Sequence, residues 1–344
     1  MEKIFAEMFS KQPDEIIDGD YLYHTPWYKP SDKLEKQLEQ REESWFDNVL
    51  FDWKQRTFQD DFNSYGIWME AMYEEIYSGL SGINEIFSQI ASENKPFMDI
   101  SSSHSFGLIP FIAKLNPQIL CMATDIDMNL IKCLRLFINR NLTEYNINLA
   151  ALDNFDMPIK NNSLDYITST FGIASRETAD TQNLNHWYNK TVGTEKPISE
   201  VYRILKPGGC FVTIESDQDL KFDLKKTRKA CNQYGNLFGK YTCNEIEEMC
   251  NKLKAPSWRD KFAEAGFQVE VEEKYFRKVS GYELRTELYS VTRLLKIREW
   301  TDNEREEYFL PSKSVSRQDF DKAAEDYGIE FNQGEVFYVL RKPK

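Results

Sequence analysis

Three aspartates of this chain are spaced so that they could bind a nucleoside. Asp99, Asp125 and Asp153 each end a short apolar segment typical of a buried β-strand. In an open sheet of parallel strands, ligands bind outside the carboxyl ends of the strands. There Asp125 could accept two ribose hydroxyls, Asp153 could accept an exocyclic adenine amine, and Asp99 could help to neutralise an ammonium group. One such aspartate could equally cap a helix or a turn, but three at successive strand ends favour a ligand site.

The loop after the first of these strands is rich in serine. It reads Ile-Ser-Ser-Ser-His-Ser-Phe-Gly, and Ser101, Ser103 and Ser105 occupy the positions where a ligand-binding loop would normally carry glycine. A positive φ costs a residue with a Cβ roughly 1 kcal/mol. The loop therefore either follows a different path or accepts this strain, and its hydroxyls could bind a ligand carboxylate. A plain polar turn without a ligand is the alternative.

The elements that would position these residues alternate between strand and helix from Pro96 onwards. The predicted strands are 97–100, 119–124, 148–152, 164–170 and 210–215. The predicted helices between them are 107–115, 128–141 and 198–205. Such alternation predicts an α/β fold, a doubly wound, mostly parallel sheet with helices on both faces. Two late strands, 267–276 and 335–341, would complete seven strands, with a long amphipathic segment between them.

The segments outside this core predict helices. Ile83, Ile86, Phe87 and Ile90 form an i, i+3, i+4, i+7 stripe near the end of the first part. We therefore expect an N-terminal helical lobe over 1–94, a core over 95–276, a helical insertion over 277–334, and the last core strand in 335–344.

Composition limits the partners and the location of the protein. The formal net charge is −13, which disfavours nucleic acid as a partner. The sequence contains neither an apolar targeting segment nor a membrane span. The six cysteines form no CxxC pair, which predicts reduced thiols in the cytoplasm, and with three histidines a metal site is not expected. The oligomeric state is not specified by these features.

Four segments of the chain, in order, resemble the motifs of class I S-adenosylmethionine-dependent methyltransferases. Phe97-Met-Asp-Ile-Ser-Ser-Ser-His-Ser-Phe-Gly resembles a degenerate D-x-G-x-G-x-G motif, and Ala-Thr-Asp-Ile-Asp resembles the second motif. Leu152-Asp-Asn-Phe-Asp-Met-Pro, followed by Asn162-Ser-Leu-Asp-Tyr-Ile, is similar to the third. Glu200-Val-Tyr-Arg-Ile-Leu-Lys-Pro-Gly-Gly-Cys-Phe-Val resembles the entry to strand five. The resemblance covers about residues 95–276 and 335–341.

This resemblance implies a Rossmann-like methyltransferase fold with strand order 3-2-1-4-5-7-6, the last strand antiparallel, and S-adenosylmethionine as the cofactor. The residues that it implies along the cofactor follow three strands: Asp99, Ser101, Ser103, Ser105, Asp125, Ile126, Asp153 and Asn154. Within this set, Asp125 would hold the ribose, Ile126 would pack on adenine, and Asp153 would take the adenine amine. Thr170 and Phe171, after strand four, would lie near the sulfonium and the acceptor.

The methyl acceptor is expected to be a small organic molecule. Tyr28 and Trp68 belong to an aromatic N-terminal segment that could line a buried acceptor pocket. His104 and His186 are candidate bases, although a histidine in either place is more often structural.

Two other functions remain open at this stage. The serine substitutions in the first motif would suit a methyltransferase-fold protein that no longer catalyses and acts as a binding or regulatory module. A nicotinamide-dependent oxidoreductase is disfavoured, because this loop has too few glycines for a pyrophosphate to approach.

Overall fold

The computed structural model describes residues 3–25, 81–102, 107–173, 193–222, 225–226, 257–278 and 329–344. Its strands are β1 (Glu15–Ile17), β2 (Asp20–Leu22), β3 (Phe97–Ile100), β4 (Cys121–Asp125), β5 (Ile147–Ala151), β6 (Leu164–Thr170), β7 (Leu205–Phe222), β8 (Gln268–Lys278) and β9 (Ile329–Arg341). Its helices are α1 (Lys3–Met8), α2 (Ser81–Glu93), α3 (Ile109–Leu115), α4 (Met128–Asn141), α5 (Glu195–Ile204) and α6 (Trp258–Glu264).

The strands form one sheet in the order β1-β2-β5-β4-β3-β6-β7-β9-β8. The five central strands, in the order β5-β4-β3-β6-β7, are parallel to one another. β9 is antiparallel to both β7 and β8. Counted from β3 to β9, this is the order 3-2-1-4-5-7-6 that the family resemblance implies. The predicted α/β fold and its strand order are therefore confirmed, and the sheet gains two strands that were not predicted.

Helices cover both faces of the sheet, as the alternation of strand and helix predicts. One apolar layer joins the sheet to α2, α3 and α4, and the other joins it to α1, α5 and α6. Successive residues of β3 enter opposite layers, since Phe97 packs in the first and Met98 in the second. The stripe predicted on α2 is buried against the first layer. The central strands are thus shielded on both sides, which leaves their ends to carry function.

The first part of the chain is not wholly helical, which corrects the predicted helical lobe over 1–94. β1 and β2 form a hairpin whose second strand pairs in parallel with β5. Asp20, at the start of β2, is buried, and its carboxylate accepts hydrogen bonds from the Arg135 guanidinium of α4. It also accepts the backbone N–H of Leu149 at 3.3 Å. Asp18-Gly19 makes the turn with positive φ at both residues. The hairpin therefore belongs to the sheet and not to a separate lobe.

The last two strands are longer than predicted, which narrows the expected helical insertion. β8 continues to Lys278 and β9 begins at Ile329, so both ends of the predicted 277–334 insertion are strand. Residues 279–328 lie outside the described residues. Within the part of the chain that the structure describes, no helix combines the length and the apolar character needed to cross a bilayer.

Candidate functional site

The carboxyl ends of β3, β4, β5 and β6 lie side by side at one edge of the sheet. The register pairs Asp99 with Ala123 of β4 and with Thr168 of β6, and it pairs Asp125 with Ala151 at the end of β5. Asp99 and Asp125 therefore lie at the same edge of the sheet, as parallel pairing requires.

Asp99 is completely buried and organises the loop that follows it. Its carboxylate accepts hydrogen bonds from Ser102 Oγ at 2.7 Å, Thr168 Oγ1 at 2.6 Å and the backbone N–H of Leu108 at 3.1 Å. Burial raises the pKa of this carboxyl to about 7, although the three donors act in the opposite direction. The contacts of Asp99 are with the protein, and its predicted place along the methionine part of a cofactor stays a prediction.

Gly107 allows the loop to close over Asp99. It has φ +54°, and a Cβ built on it would lie 2.0 Å from Asp99 Oδ1. No side chain fits at that distance, so glycine is required here by close approach as well as by backbone conformation. The glycine that this loop needs thus stands at 107, beyond the three serine positions.

Ser101 has the strained, positive-φ backbone that we considered for the serine-rich loop. It has φ +54°, a conformation that costs a residue with a Cβ about 1–2 kcal/mol. Its hydroxyl accepts a hydrogen bond from Asn154 Nδ2 at 2.7 Å and donates to the backbone oxygen of Gly172 at 3.3 Å. The hydroxyl therefore connects the loops after β3, β5 and β6.

Two aspartates at the carboxyl end of β4, Asp125 and Asp127, have different roles. Asp127 is buried and caps α4, since its carboxylate accepts the backbone N–H groups of Asn129 and Leu130. Asp125 and Ile126 are both partly exposed, and Asp125 Oδ1 accepts the backbone N–H of Asp127 at 3.1 Å. Of the two carboxylates, Asp125 is therefore the more exposed one, and its predicted contact with a ribose stays a prediction.

The turn after β5 carries Asp153 and Asn154. Asp153 is nearly buried, and its Oδ1 accepts the backbone N–H of Phe155 at 2.9 Å. Asn154 is partly exposed and directs its amide nitrogen to Ser101 and, at 3.4 Å, to the backbone oxygen of Gly172. These contacts bring Asn154 beside the loop after β3, as a shared site requires.

Thr170 is the last residue of β6, next to β7, and Phe171 follows it. Both side chains are largely buried, and Phe171 has φ +51°. Its backbone N–H donates to the oxygen of Ile214 at 2.8 Å. Phe171 is also packed in the apolar layer that contains α2, α3 and α4. The position near a sulfonium and acceptor predicted for these two residues stays a prediction.

The remaining predicted site residues lie outside the described residues: Tyr28, Trp68, Ser103, His104, Ser105 and His186. Among the side chains that the structure does describe, no cluster of three or more histidines, cysteines and carboxylates is placed to hold a metal ion.

Four residues that the sequence analysis did not single out complete the site: Ser102, Gly107, Thr168 and Gly172. A Cβ on Gly172 would lie 2.4 Å from Ser169 Oγ and 2.7 Å from the backbone oxygen of Ile100. Gly107 and Gly172 are the glycines that directly follow a strand or loop of the site, and this position is the signal that could have found them. Ser102 and Thr168 carry no comparable local signal, because their role depends on the burial of Asp99.

The sequence of this chain matches the model of a known protein family. Residues 85–253 match the model of the ubiE/COQ5 methyltransferase family. Among curated proteins, none matches the sequence of this chain.

Several solved structures are similar to the chain. A protein of Bacillus halodurans C-125 assigned as a methyltransferase is 18% identical, with 76% of this chain and 98% of that chain covered and a TM-score of 0.42. A protein of Galdieria sulphuraria assigned as a sarcosine dimethylglycine methyltransferase is 12% identical, with 88% and 99% covered and a TM-score of 0.43. Phosphoethanolamine N-methyltransferase 2 of Haemonchus contortus, in complex with S-adenosyl-L-methionine, is 15% identical, with 90% and 60% covered and a TM-score of 0.34.

Proposed function

Because the chain belongs to the class I S-adenosylmethionine-dependent methyltransferases, we propose that it transfers the methyl group of S-adenosylmethionine to a small organic acceptor. The observation that carries this proposal is the convergence of Ser101, Asp125 and Asn154 at the carboxyl ends of three adjacent parallel strands. Ligands of open α/β sheets bind at this place.

The side chains at this edge fit the groups of the cofactor. A ribose offers two hydroxyl donors, and Asp125 is a partly exposed carboxylate beside a second aspartate that is already committed to capping a helix. Ile126 is partly exposed next to Asp125 and could pack on the adenine ring. Asp153, at the end of the neighbouring strand, supplies a carboxylate acceptor for the exocyclic amine. The loop that begins at Ser101 would border the methionine portion.

In the proposed reaction, the main tasks of the protein are to align the acceptor with the methyl group and to exclude water from the site. When bound, the sulfonium supplies an electrophilic methyl group, which an acceptor nucleophile displaces in line. Thr170 and Phe171 lie at the carboxyl end of β6, the strand next to β3, and their proposed role is to orient the acceptor and to exclude water. His104 and His186 are the proposed bases for an acceptor that must lose a proton.

A small acceptor suits the charge of the chain better than a nucleic acid does. With 43 lysines and arginines against 56 aspartates and glutamates, the protein repels a polyphosphate backbone. Tyr28 and Trp68 are proposed to line the acceptor pocket as an aromatic wall. Methyl transfer from labelled S-adenosylmethionine to a panel of small amines, alcohols and phenols, with RNA and a protein mixture as comparison, tests this class of acceptor.

Calorimetric titration with S-adenosylhomocysteine tests the cofactor site directly. We expect the wild type to bind and Asp125→Ala to bind roughly 10- to 100-fold more weakly, since hydrogen bonds to a charged group contribute about 1.5–3 kcal/mol. Asp156→Asn is the matched control, because this exposed aspartate lies in the turn after the next strand. Equal affinities for Asp125→Ala and wild type would remove Asp125 from the ribose site.

The second candidate is a protein of this fold that no longer catalyses methyl transfer and acts as a binding or regulatory module for another partner. The observation that favours it is Ser101, whose positive φ and side chain occupy a position where the family motif has glycine. Absence of binding by the wild type at millimolar S-adenosylhomocysteine in the same titration would favour this second function, and methyl transfer in the labelling assay would exclude it.

A further inference from the structure

The Ser101 hydroxyl lies at a junction of three loops. It is within hydrogen-bond distance of Asn154 Nδ2, at 2.7 Å, and of the Gly172 backbone oxygen, at 3.3 Å. Asn154 Nδ2 is also 3.4 Å from the same Gly172 oxygen. We name the group Ser101, Asn154 and Gly172 the three-loop bridge, because its members follow β3, β5 and β6.

Packing makes the bridge compact as well as polar. A Cβ on Gly172 would lie 2.9 Å from the Ser101 Cβ, so the serine side chain rests against the Gly172 backbone. The backbone N–H of Gly172 donates to Ser169 Oγ at 3.1 Å, which ties this loop back to its own strand. Phe171, directly before Gly172, has φ +51°. Two residues with unfavourable backbone conformations, Ser101 and Phe171, thus flank the same contact.

We propose that Ser101 is a positioning residue that holds the loops after β5 and β6 in the conformation that binds the cofactor. The inference rests on the proposed function. In this protein the serine hydroxyl does through hydrogen bonds what a bare glycine backbone could not do, because glycine offers no group to Asn154 or Gly172. Restoring glycine at 101 is therefore expected to weaken cofactor binding, although it relieves the positive φ.

Two measurements on the full chain test this proposal, and the first needs no cofactor. Hydrogen exchange of the backbone amides of Phe155 and Gly172 is measured in wild type, Ser101→Ala, Ser101→Gly and Asn154→Ala. The bridge predicts several-fold faster exchange at both amides in all three variants. Ser163→Ala is the control, because that hydroxyl also donates to a backbone oxygen, Lys160, before the start of β6. Unchanged exchange at both amides would overturn the bridge.

The second measurement is the calorimetric affinity for S-adenosylhomocysteine. Ser101→Gly and Ser101→Ala should bind roughly five- to tenfold more weakly than wild type, about the effect of one hydrogen bond. Ser101→Gly should do so with a melting temperature close to that of wild type, since strain relief offsets the lost bonds. A serine with a purely structural role would not separate affinity from melting temperature in this way.

A double-mutant cycle then distinguishes positioning from direct contact. If Ser101 acts through Asn154, the Ser101→Ala/Asn154→Ala variant binds no more weakly than the worse single variant. Additive losses would mean that each side chain contacts the cofactor separately, and equal or tighter binding by Ser101→Gly would mean that the hydroxyl does not help; either result overturns the proposal. Absence of binding in the wild type overturns the proposed function and the positioning role with it, while the exchange measurement still decides whether the bridge exists.

Discussion

The two ends of the central strands β3 and β6 differ in the residues that adopt a left-handed backbone. Before these strands stand Asn94, with φ +49°, and Asn162, with φ +54°. After them stand Ser101, with φ +54°, and Phe171, with φ +51°. Asparagine tolerates positive φ better than most residues with a Cβ, whereas serine and phenylalanine gain nothing comparable from their own side chains. The same left-handed conformation therefore costs less conformational free energy at the amino ends of these strands than at their carboxyl ends.

This difference separates the part of the sheet that only folds from the part that we propose to function. Strained backbone persists where surrounding contacts hold it, and such positions cluster at binding and catalytic sites. At the amino ends, the asparagines make ordinary turn contacts, such as Asn162 Oδ1 with Lys342 Nζ at 2.8 Å. At the carboxyl ends, Ser101 is held by a neighbouring loop on each side. The strained residues thus lie at the edge of the sheet where we propose that the ligand binds.

The largest expected effect concerns Asp99, whose burial raises its pKa from 3.8 to about 7. Between these values the folded protein retains a proton that the unfolded chain releases, so this carboxyl lowers the free energy of unfolding as pH rises through that window. A tenfold difference in proton affinity between the folded and unfolded states corresponds to roughly 1.4 kcal/mol. Relative to wild type, Asp99→Asn should therefore gain several kcal/mol of stability between about pH 4 and pH 7 in urea titrations.

Asp156→Asn provides the baseline for this pH series, since Asp156 is exposed. A difference between Asp99→Asn and wild type that does not change between pH 4 and pH 7 would contradict the raised pKa of Asp99.

The next largest effect is expected at Gly107, beyond the carboxyl end of β3, and it can be compared with Gly208, near the start of β7. Both glycines have a positive φ. A Cβ on Gly107 would lie 2.0 Å from Asp99 Oδ1, whereas a Cβ on Gly208 would meet only the Lys344 side chain, at 3.5 Å. Gly107→Ala should lower the free energy of unfolding by about 2–4 kcal/mol, because it adds overpacking to backbone strain, and Gly208→Ala by about 1 kcal/mol. Chemical unfolding of the two variants checks this, and equal losses would contradict the tight closure over Asp99.

We expect the smallest effect at the amino end of β3, where Asn94 has a positive φ. Asn94→Gly removes one exposed hydrogen bond, from Asn116 Nδ2 at 3.0 Å, and gives up little strain. We expect the free energy of unfolding to change by less than about 0.5 kcal/mol. Stabilisation by roughly 1 kcal/mol or more in thermal or urea unfolding would mean that Asn94 is as strained as Ser101, and the contrast between the two ends would disappear.

The fold was largely predictable from sequence because its central elements are continuous apolar segments with clear ends. β3, β6 and α4 have the predicted bounds. The hairpin was missed because its strands have three residues each, too few to show alternation. Asp18-Gly19, which follows Ile16-Ile17 and precedes Asp20-Tyr21-Leu22, was nevertheless a hairpin signal.

The site was less predictable, since strand-end position does not reveal which way a carboxylate is used. Asp99, Asp125 and Asp127 look alike in sequence, yet the first holds a loop, the second is partly exposed and the third caps α4. These differences depend on contacts from distant strands, such as Thr168 with Asp99.

A crystal structure of the protein with S-adenosylhomocysteine would locate the proposed cofactor site. We expect the ligand to lie across the carboxyl ends of β3, β4 and β5, with its ribose hydroxyls on Asp125 and its adenine amine facing Asp153. A ligand bound elsewhere on the chain, or no ligand at saturating concentration, would contradict this expectation.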